Sequence, residues 1–255
     1  MTVGVPIKAE EEIRLGRWRP EEIDEMLATA PAMPGAGIDF ISGRFLDVPY
    51  GASTLIGSPG VPEVFVVNLQ AVDCFTYLDY VESMRLSRSF REFRRSLRRV
   101  RYRSGLVSYG SRRHFFTDWT ASRRVRDATG LIGCGKAAAV LKTLNRKADG
   151  ASILPEIPPV SRKVVFIPAL ALDRLVLDML ETGDYIGIYT PAEGLDVSHA
   201  GICIRREKRI LLRHASSTAQ RVIDQDFVAY MEGKPGIVVL RPQLWTAAAP
   251  APPFS

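Results

Sequence analysis

Hydrophobic and polar positions alternate in two different rhythms along the chain. Over residues 74–84 the apolar side chains Phe75, Tyr77, Leu78, Val81 and Met84 follow the spacing of an amphipathic helix. Immediately before it, Val64-Phe65-Val66-Val67 is a short apolar run of strand length. Leu86, Phe90, Phe93, Leu97 and Val100 step by four, three, four and three, one apolar face of a second helix whose remaining circumference is largely arginine. Upstream, RPEEIDEMLATA opens with proline and two glutamates, a helix start, so a short helix is expected within residues 9–30, followed by a turn or linker over 30–37. Residues 134–149 also read as helical, ending at Asp149-Gly150, and the prolines of ILPEIPPVSR make 153–162 an extended connection.

Beyond that point the rhythm changes. KVVFIPALA, DYIGIYT, SHAGICIR, RILLRHAS and GIVVLRP are β-branched runs separated by Gly, Pro, Asp or charged turns. Helices first and strands afterwards predict an α+β fold on an antiparallel sheet. Three segments are expected: an N-terminal helical arm and linker over 1–37, a main domain over 38–245 with a helical insertion at about 85–150, and a disordered tail over 246–255.

Composition narrows the class. The chain has 255 residues, 46% of them hydrophobic and 24% charged, with a formal net charge of +6. This is a globular balance, and no apolar run is long enough to cross a bilayer. The excess of positive charge sits mainly in LSRSFREFRRSLRRVRYRSG, residues 86–105, and favours anionic partners. A solvated helix face explains most of that run. No nucleic-acid module accompanies it, so neither a nucleic acid nor a membrane is expected as partner. The polar, acidic start lacks the basic and apolar regions of a signal peptide. A place in the cytoplasm, or export by a route needing no such signal, is expected, with a periplasmic place if the chain is trimmed.

Three cysteines at wide spacing, Cys74, Cys134 and Cys203, form neither a disulfide framework nor a zinc pair. Cys203 lies mid-strand and reads as core; Cys134, flanked by glycines, reads as core or loop filler. Cys74 differs because it opens a helix directly after Asp73, a good N-cap. The positive end of the helix and its unpaired amides favour a thiolate and an oxyanion there. A nucleophilic thiol also needs a base. Of the three histidines, His199 opens one expected strand and His214 ends the next, across the charged turn REKR. Antiparallel pairing would make them neighbours, one to meet the thiol and one to hold the first ring. No carboxylate stands at zinc-ligand spacing from a histidine pair, so no metal or cofactor is expected.

VPYGAST, the DC at a helix start, GDY, and SHAGI fifteen residues before HAS together resemble the NlpC-type papain-like cysteine peptidases. The additional blocks RYRSGLVSYGSRRHFFTDW, GLDVSHAGICI and LRHASS resemble its N-acetylmuramoyl-L-alanine amidase-like branch over about residues 40–242. The resemblance implies a papain-like NlpC-type fold, with the nucleophile helix packed on an antiparallel sheet and helical insertions. It implies Cys74 as nucleophile, His199 as general base and His214 as its orienting partner. Tyr50 would line the site near the oxyanion. His114, Phe115, Asp118 and Trp119 would wall the substrate cleft, unless that block plugs a small core of its own, and Asp73 would meet the substrate's polar end besides capping the helix. The implied activity is cleavage between N-acetylmuramic acid and L-alanine in peptidoglycan fragments by a monomer. The alternatives are cleavage between D-glutamate and diaminopimelate, a zinc amidase using the histidines, and a basic binding module without turnover. Phe75-Thr76 after the cysteine, where many relatives carry Ser-Gly, points away from generic endopeptidase specificity.

Overall fold

The structure is a computed structural model that describes residues 10–122, 124–207 and 209–244, so the expected tail lies outside the described residues. The first element departs from expectation. Glu11–Arg14 is a strand (β1), and the helix begins only at Pro20, running to Thr29 (α1). β1 lies parallel to β2, Phe65–Asn68, with Glu11 opposite Phe65 and Arg14 opposite Asn68. The helix-like charge pattern of 9–14 yields here to backbone pairing with the β-branched strand. The expected turn at 30–37 is also shorter than foreseen, because Pro34 starts a further helix, Pro34–Gly43 (α2). Ile23, Leu27, Ile38 and Ile41 are buried in the main core, so the N-terminal segment packs as part of it.

The cysteine helix is Cys74–Arg85 (α3), and every residue from Thr76 to Met84 is buried. Its two acidic residues therefore need partners. Asp79 accepts a 2.8 Å bond from buried Arg101, and Glu82 pairs with Arg85 at 2.5 Å while accepting from Tyr185 at 2.6 Å. The basic helix, Phe90–Arg101 (α4), is capped by Ser89 and buries Phe93, Leu97 and Val100 as its spacing predicts. Its last arginine breaks the pattern: Arg101 turns inward and also donates to the Val66 carbonyl at 2.6 Å.

The expected helix at 134–149 is not formed. After the short strand Val125–Asp127 (β3) and the helical turn Thr129–Ile132 (α5), Ala138–Leu144 is a strand (β4) paired along its length with Val160–Pro168 (β5). The alanines favour a helix locally, but the β-branched partner VSRKVVFIP supplies a full ladder that overrides it. The rest of the chain is α6 (Arg174–Met179), β6 (Tyr185–Tyr189), β7 (Val197–Arg206), β8 (Arg209–Ser216), β9 (Arg221–Asp226), α7 (Phe227–Met231) and β10 (Gly236–Pro242). The sheet order is β4-β5-β10-β6-β7-β8-β9, with β3 on β10, all antiparallel.

Alternation along these strands feeds two cores. Ala200, Ile202, Ile204 and Ala215 join the cluster under α1–α4. Ile188, Cys203, Leu212 and Val239 face the other way, against Val176 of α6 and Phe227 and Met231 of α7. β6 is buried throughout because both of its faces are covered. Among the described residues no helix is long and apolar enough to cross a membrane.

Candidate active site

α3 starts where the chain leaves β2 through Gln70–Asp73. Asp73 caps the helix as its position predicts: Oδ1 accepts from the Phe75 amide at 2.9 Å and the Thr76 amide at 2.7 Å. Thr76 returns the favour through Oγ1, which accepts from the Asp73 amide at 3.0 Å. The carbonyl of Asp73 takes the Tyr77 amide. The Cys74 N–H, at the first position of the helix, is directed at its own sulfur.

Cys74 is partly exposed, and the amide of Ala200, the residue after His199, lies near enough to its sulfur to favour the thiolate. Burial raises the phenols of Tyr50 and Tyr230, Tyr230 to about 12, and a charge on nearby Cys74 adds to both shifts. Tyr50 is fixed by its amide bond to the Gln220 carbonyl and by a parallel bridge to Val72. One expectation is overturned. Burial, reinforced by the Asp73 carboxylate, pushes the Cys74 thiol up to about 11; the amides of Ala200, Cys74 and Phe75 oppose this but do not win. The cysteine is a neutral thiol at neutral pH, because burial disfavours its charged form and the cap that orders the helix adds a negative charge beside it.

The two histidines meet as the hairpin predicts, though not as direct cross-strand partners. The β7–β8 ladder runs from Arg206↔Arg209 to Ile202↔Arg213 and stops there. Past that point His199 pairs with Ile188 on β6 and His214 with Ile223 on β9. Their rings close the gap, with His199 Nε2 2.7 Å from His214 Nδ1 and the planes at 86°. His214 Nε2 lies 3.3 Å from Gln225 Oε1. Burial, with the nearby charges of His214 and Lys234, lowers His199 to about 4, and burial also lowers His214. Both are therefore neutral imidazoles at neutral pH.

These contacts assign the protons. An amide oxygen only accepts, so Gln225 takes the proton of His214 Nε2. His214 Nδ1 is then an acceptor for His199 Nε2–H, which leaves His199 Nδ1 with a lone pair. A lone pair on that nitrogen can accept a thiol proton. Among the described residues no hydrogen bond joins the sulfur to either ring. What relates the thiol to His199 is the amide of Ala200, next in sequence to His199 and near the sulfur.

Gln225 and Tyr230 were not foreseen from the sequence. Tyr230 lies with its ring 5.1 Å from His214 and 6.2 Å from His199, and lines with them a cleft of about 680 Å³. Ser216, Ser217 and Thr218 form another wall of it. The only available signal was the alternation in RVIDQDF, a strand ending on the cap Asp226, which accepts from Ala229 of α7 at 3.0 Å.

None of His114, Phe115, Asp118 and Trp119 lines the histidine cleft, and neither do Tyr50, Asp73 and Cys74. His114 Nε2 is 3.0 Å from the Tyr109 carbonyl. Asp118 accepts from the His114 and Phe115 amides and pairs with Arg162 at 2.8 Å. Phe116 and Trp119 are in the core, as a plug would be, and Trp119 stacks 5.9 Å from Phe75, the residue after the cysteine. Cys203 is buried as expected; Cys134 is exposed rather than core. Among the described residues no group of three His, Cys, Asp or Glu side chains is placed to hold a metal ion.

The architecture is shared with solved structures. An N-acetylmuramoyl-L-alanine amidase from Bacteroides uniformis is 28% identical over 82% of this chain and 99% of its own, with a TM-score of 0.69. A putative xylanase from Bacteroides fragilis is 28% identical over 78% of this chain and 98% of its own, at 0.64. A Legionella pneumophila protein of family DUF1460, 21% identical over 88% of this chain and 94% of its own, shares the fold at 0.73. No curated protein matches. A family model described as AmiA-like, N-acetylmuramoyl-L-alanine amidase-like, matches residues 40–237.

Proposed function

From the premise that this chain belongs to the AmiA-like, N-acetylmuramoyl-L-alanine amidase-like family, we propose that it is a peptidoglycan hydrolase using Cys74 to cleave the amide between N-acetylmuramic acid and L-alanine. The carrying observation is the sulfur at the Ala200 amide, one residue from the His199–His214 pair whose outer nitrogen is tied to Gln225. The same placement favours a papain-like, NlpC-type fold, in which a helix start carries the thiol and a strand carries its base. The 28% identical amidase from Bacteroides uniformis supports the choice of bond.

The steps follow from the proton order. His199 Nδ1 takes the proton of Cys74 as the sulfur attacks the amide carbon. The Cys74 amide, which lies beside the sulfur, and the Tyr50 phenol are the donors at hand for the oxyanion. The Nδ1–H then passes to the leaving nitrogen, the C–N bond breaks and a thioester remains. Water, deprotonated by His199, releases the acid and restores the thiol. The neutral thiol–imidazole resting pair couples proton transfer to attack. Arg91, Arg95 and Arg99 on the outer side of α4 are exposed and add a positive field for anionic fragments.

Digestion of purified muropeptides, read by mass spectrometry, tests the reading. The expected products are free stem peptide and N-acetylmuramic acid, absent with Cys74→Ala and unaffected by chelator. Products split between D-glutamate and diaminopimelate would instead support an endopeptidase. Iodoacetamide inactivation belongs in a Cys134→Ser background, because Cys134 is exposed and would also be alkylated.

A further inference from the structure

The histidine cleft has one cationic wall that the chemistry above does not use. Among the residues lining it, Lys234 carries the only lysine or arginine charge. Its position is built rather than loose. Gly233 takes φ +71, Pro235 follows, and the Lys234 amide bonds the Met231 carbonyl at 3.0 Å, so a tight turn after α7 fixes the backbone. Its Nζ sits over the Tyr230 ring at 5.3 Å, and that ring packs against both imidazoles. Among the described residues Lys234 makes no ion pair, and Glu232, two residues earlier on the same cleft, does not reach it within ion-pair distance. An unpaired ammonium held by an aromatic face at the lip of a cleft has its binding capacity still open.

The side of the cleft identifies what it meets. His199 delivers its proton to the departing amine, so the amine-bearing half of the substrate lies on the histidine side. Lys234 stands on that same side, on the ridge between the cleft and an apolar groove of about 540 Å³ lined by Leu172, Phe227, Val228 and Met231. We propose that Lys234 binds a carboxylate of the leaving peptide, making the protein selective for substrates whose departing half is a free acid and not a carboxamide. This rests on the cysteine-amidase reading. It adds a specificity residue to that reading, one that selects among peptides and takes no part in bond cleavage.

The test compares N-acetylmuramoyl-L-Ala-D-Glu with its α,γ-diamide, in which both carboxylates of the departing peptide are carboxamides, by steady-state hydrolysis. Wild type is expected to favour the acid by about tenfold in kcat/KM, the worth of one charge-assisted contact. Lys234→Met should bring the ratio near one, mainly through KM for the acid. Lys234→Arg should keep the preference, and Lys234→Glu should reverse it. High salt should narrow the wild-type ratio. A wild-type ratio near one, or a Lys234→Met ratio as large as wild type's, overturns the carboxylate contact while leaving the amidase reading standing. Absence of turnover by wild type on both substrates overturns both.

Discussion

His199 Nε2 and His214 Nδ1 lie 2.7 Å apart, and the outer nitrogen of His214 reaches Gln225 Oε1 at 3.3 Å. Because the chain ends on an amide oxygen, its hydrogen bonds have one direction, and the nitrogen left basic is the one on His199 away from His214. Losing the middle ring should cost more than losing the end. His214→Ala is expected to lower kcat about 100-fold or more, and Gln225→Leu about tenfold with little change in KM. Gln225→Glu places a carboxylate behind the pair and should move the acid limb of the kcat/KM profile upward. An unshifted limb would mean that Gln225 does not act through the imidazoles.

The two reacting groups set a wide pH window. Activity needs neutral His199, held to about 4, and a proton on the thiol–imidazole pair for the leaving amine, which is lost as Cys74 ionises at about 11. The kcat/KM profile should be flat through neutrality, falling in acid near pH 4 and in base near pH 11. Alkylation of Cys74 in the Cys134→Ser protein should keep accelerating up to about pH 11 without levelling near 8. A plateau near pH 7 would show a thiolate–imidazolium pair at rest instead.

The same lowering of His199 has a stability consequence of definite sign. Unfolded, the ring takes a proton near its ordinary 6.5; folded, only near 4. Between those values the unfolded chain binds more protons, so stability is lost as pH falls from about 6.5 to about 4. Urea unfolding at pH 7 and pH 4.5 measures it, and His199→Phe should flatten that part of the dependence.

Between α3 and α4, Asp79 and Arg101 form an ion pair out of reach of solvent, with Asp79 accepting at 2.8 Å. Removing one member leaves the other charge buried alone. Asp79→Leu or Arg101→Met should each cost about 3–5 kcal/mol, and the double variant less than the sum. Chemical unfolding of the three variants against wild type provides the cycle.

Gly187 on β6 is another tight point. A Cβ there would stand 2.6 Å from Val197 Cγ1 and 2.8 Å from the Phe116 ring. Gly187→Ala should therefore destabilise by about 1–3 kcal/mol through overpacking. Since Val197 leads into His199, the loss of activity should exceed what the fraction unfolded accounts for, as measured by kcat per folded molecule.

The strands that carry His199 and His214 were legible because each is a β-branched run bounded by charged or glycine turns, and the short REKR turn fixes them as a hairpin. Cys74 was legible from Asp73 and the periodicity after it. The electrostatics were not: the acidity of a thiol depends on how much water reaches it, and periodicity carries no measure of that. Residues 138–144 were misread because local alanine preference is visible in one segment alone, whereas the β5 partner that overrules it lies beyond the intervening loop. Gln225 and Tyr230 stayed hidden for a related reason, since only the folded β8–β9 ladder and the turn into α7 carry them to the imidazoles. The aromatic block pointed at a cleft wall, yet Phe116 and Trp119 went to the core, where burial of large rings is most favourable.

The parallel pairing of Glu11–Arg14 with Phe65–Asn68 gives the beginning of the chain a hold on the segment that leads to Cys74. Phe65–Asn68 leads within six residues to Cys74, and one of its edges is completed by that early strand. Shortening the protein from its amino end, or tethering a partner there, would act as a dial on how firmly the reactive sulfur is seated, with no change to the residues around it.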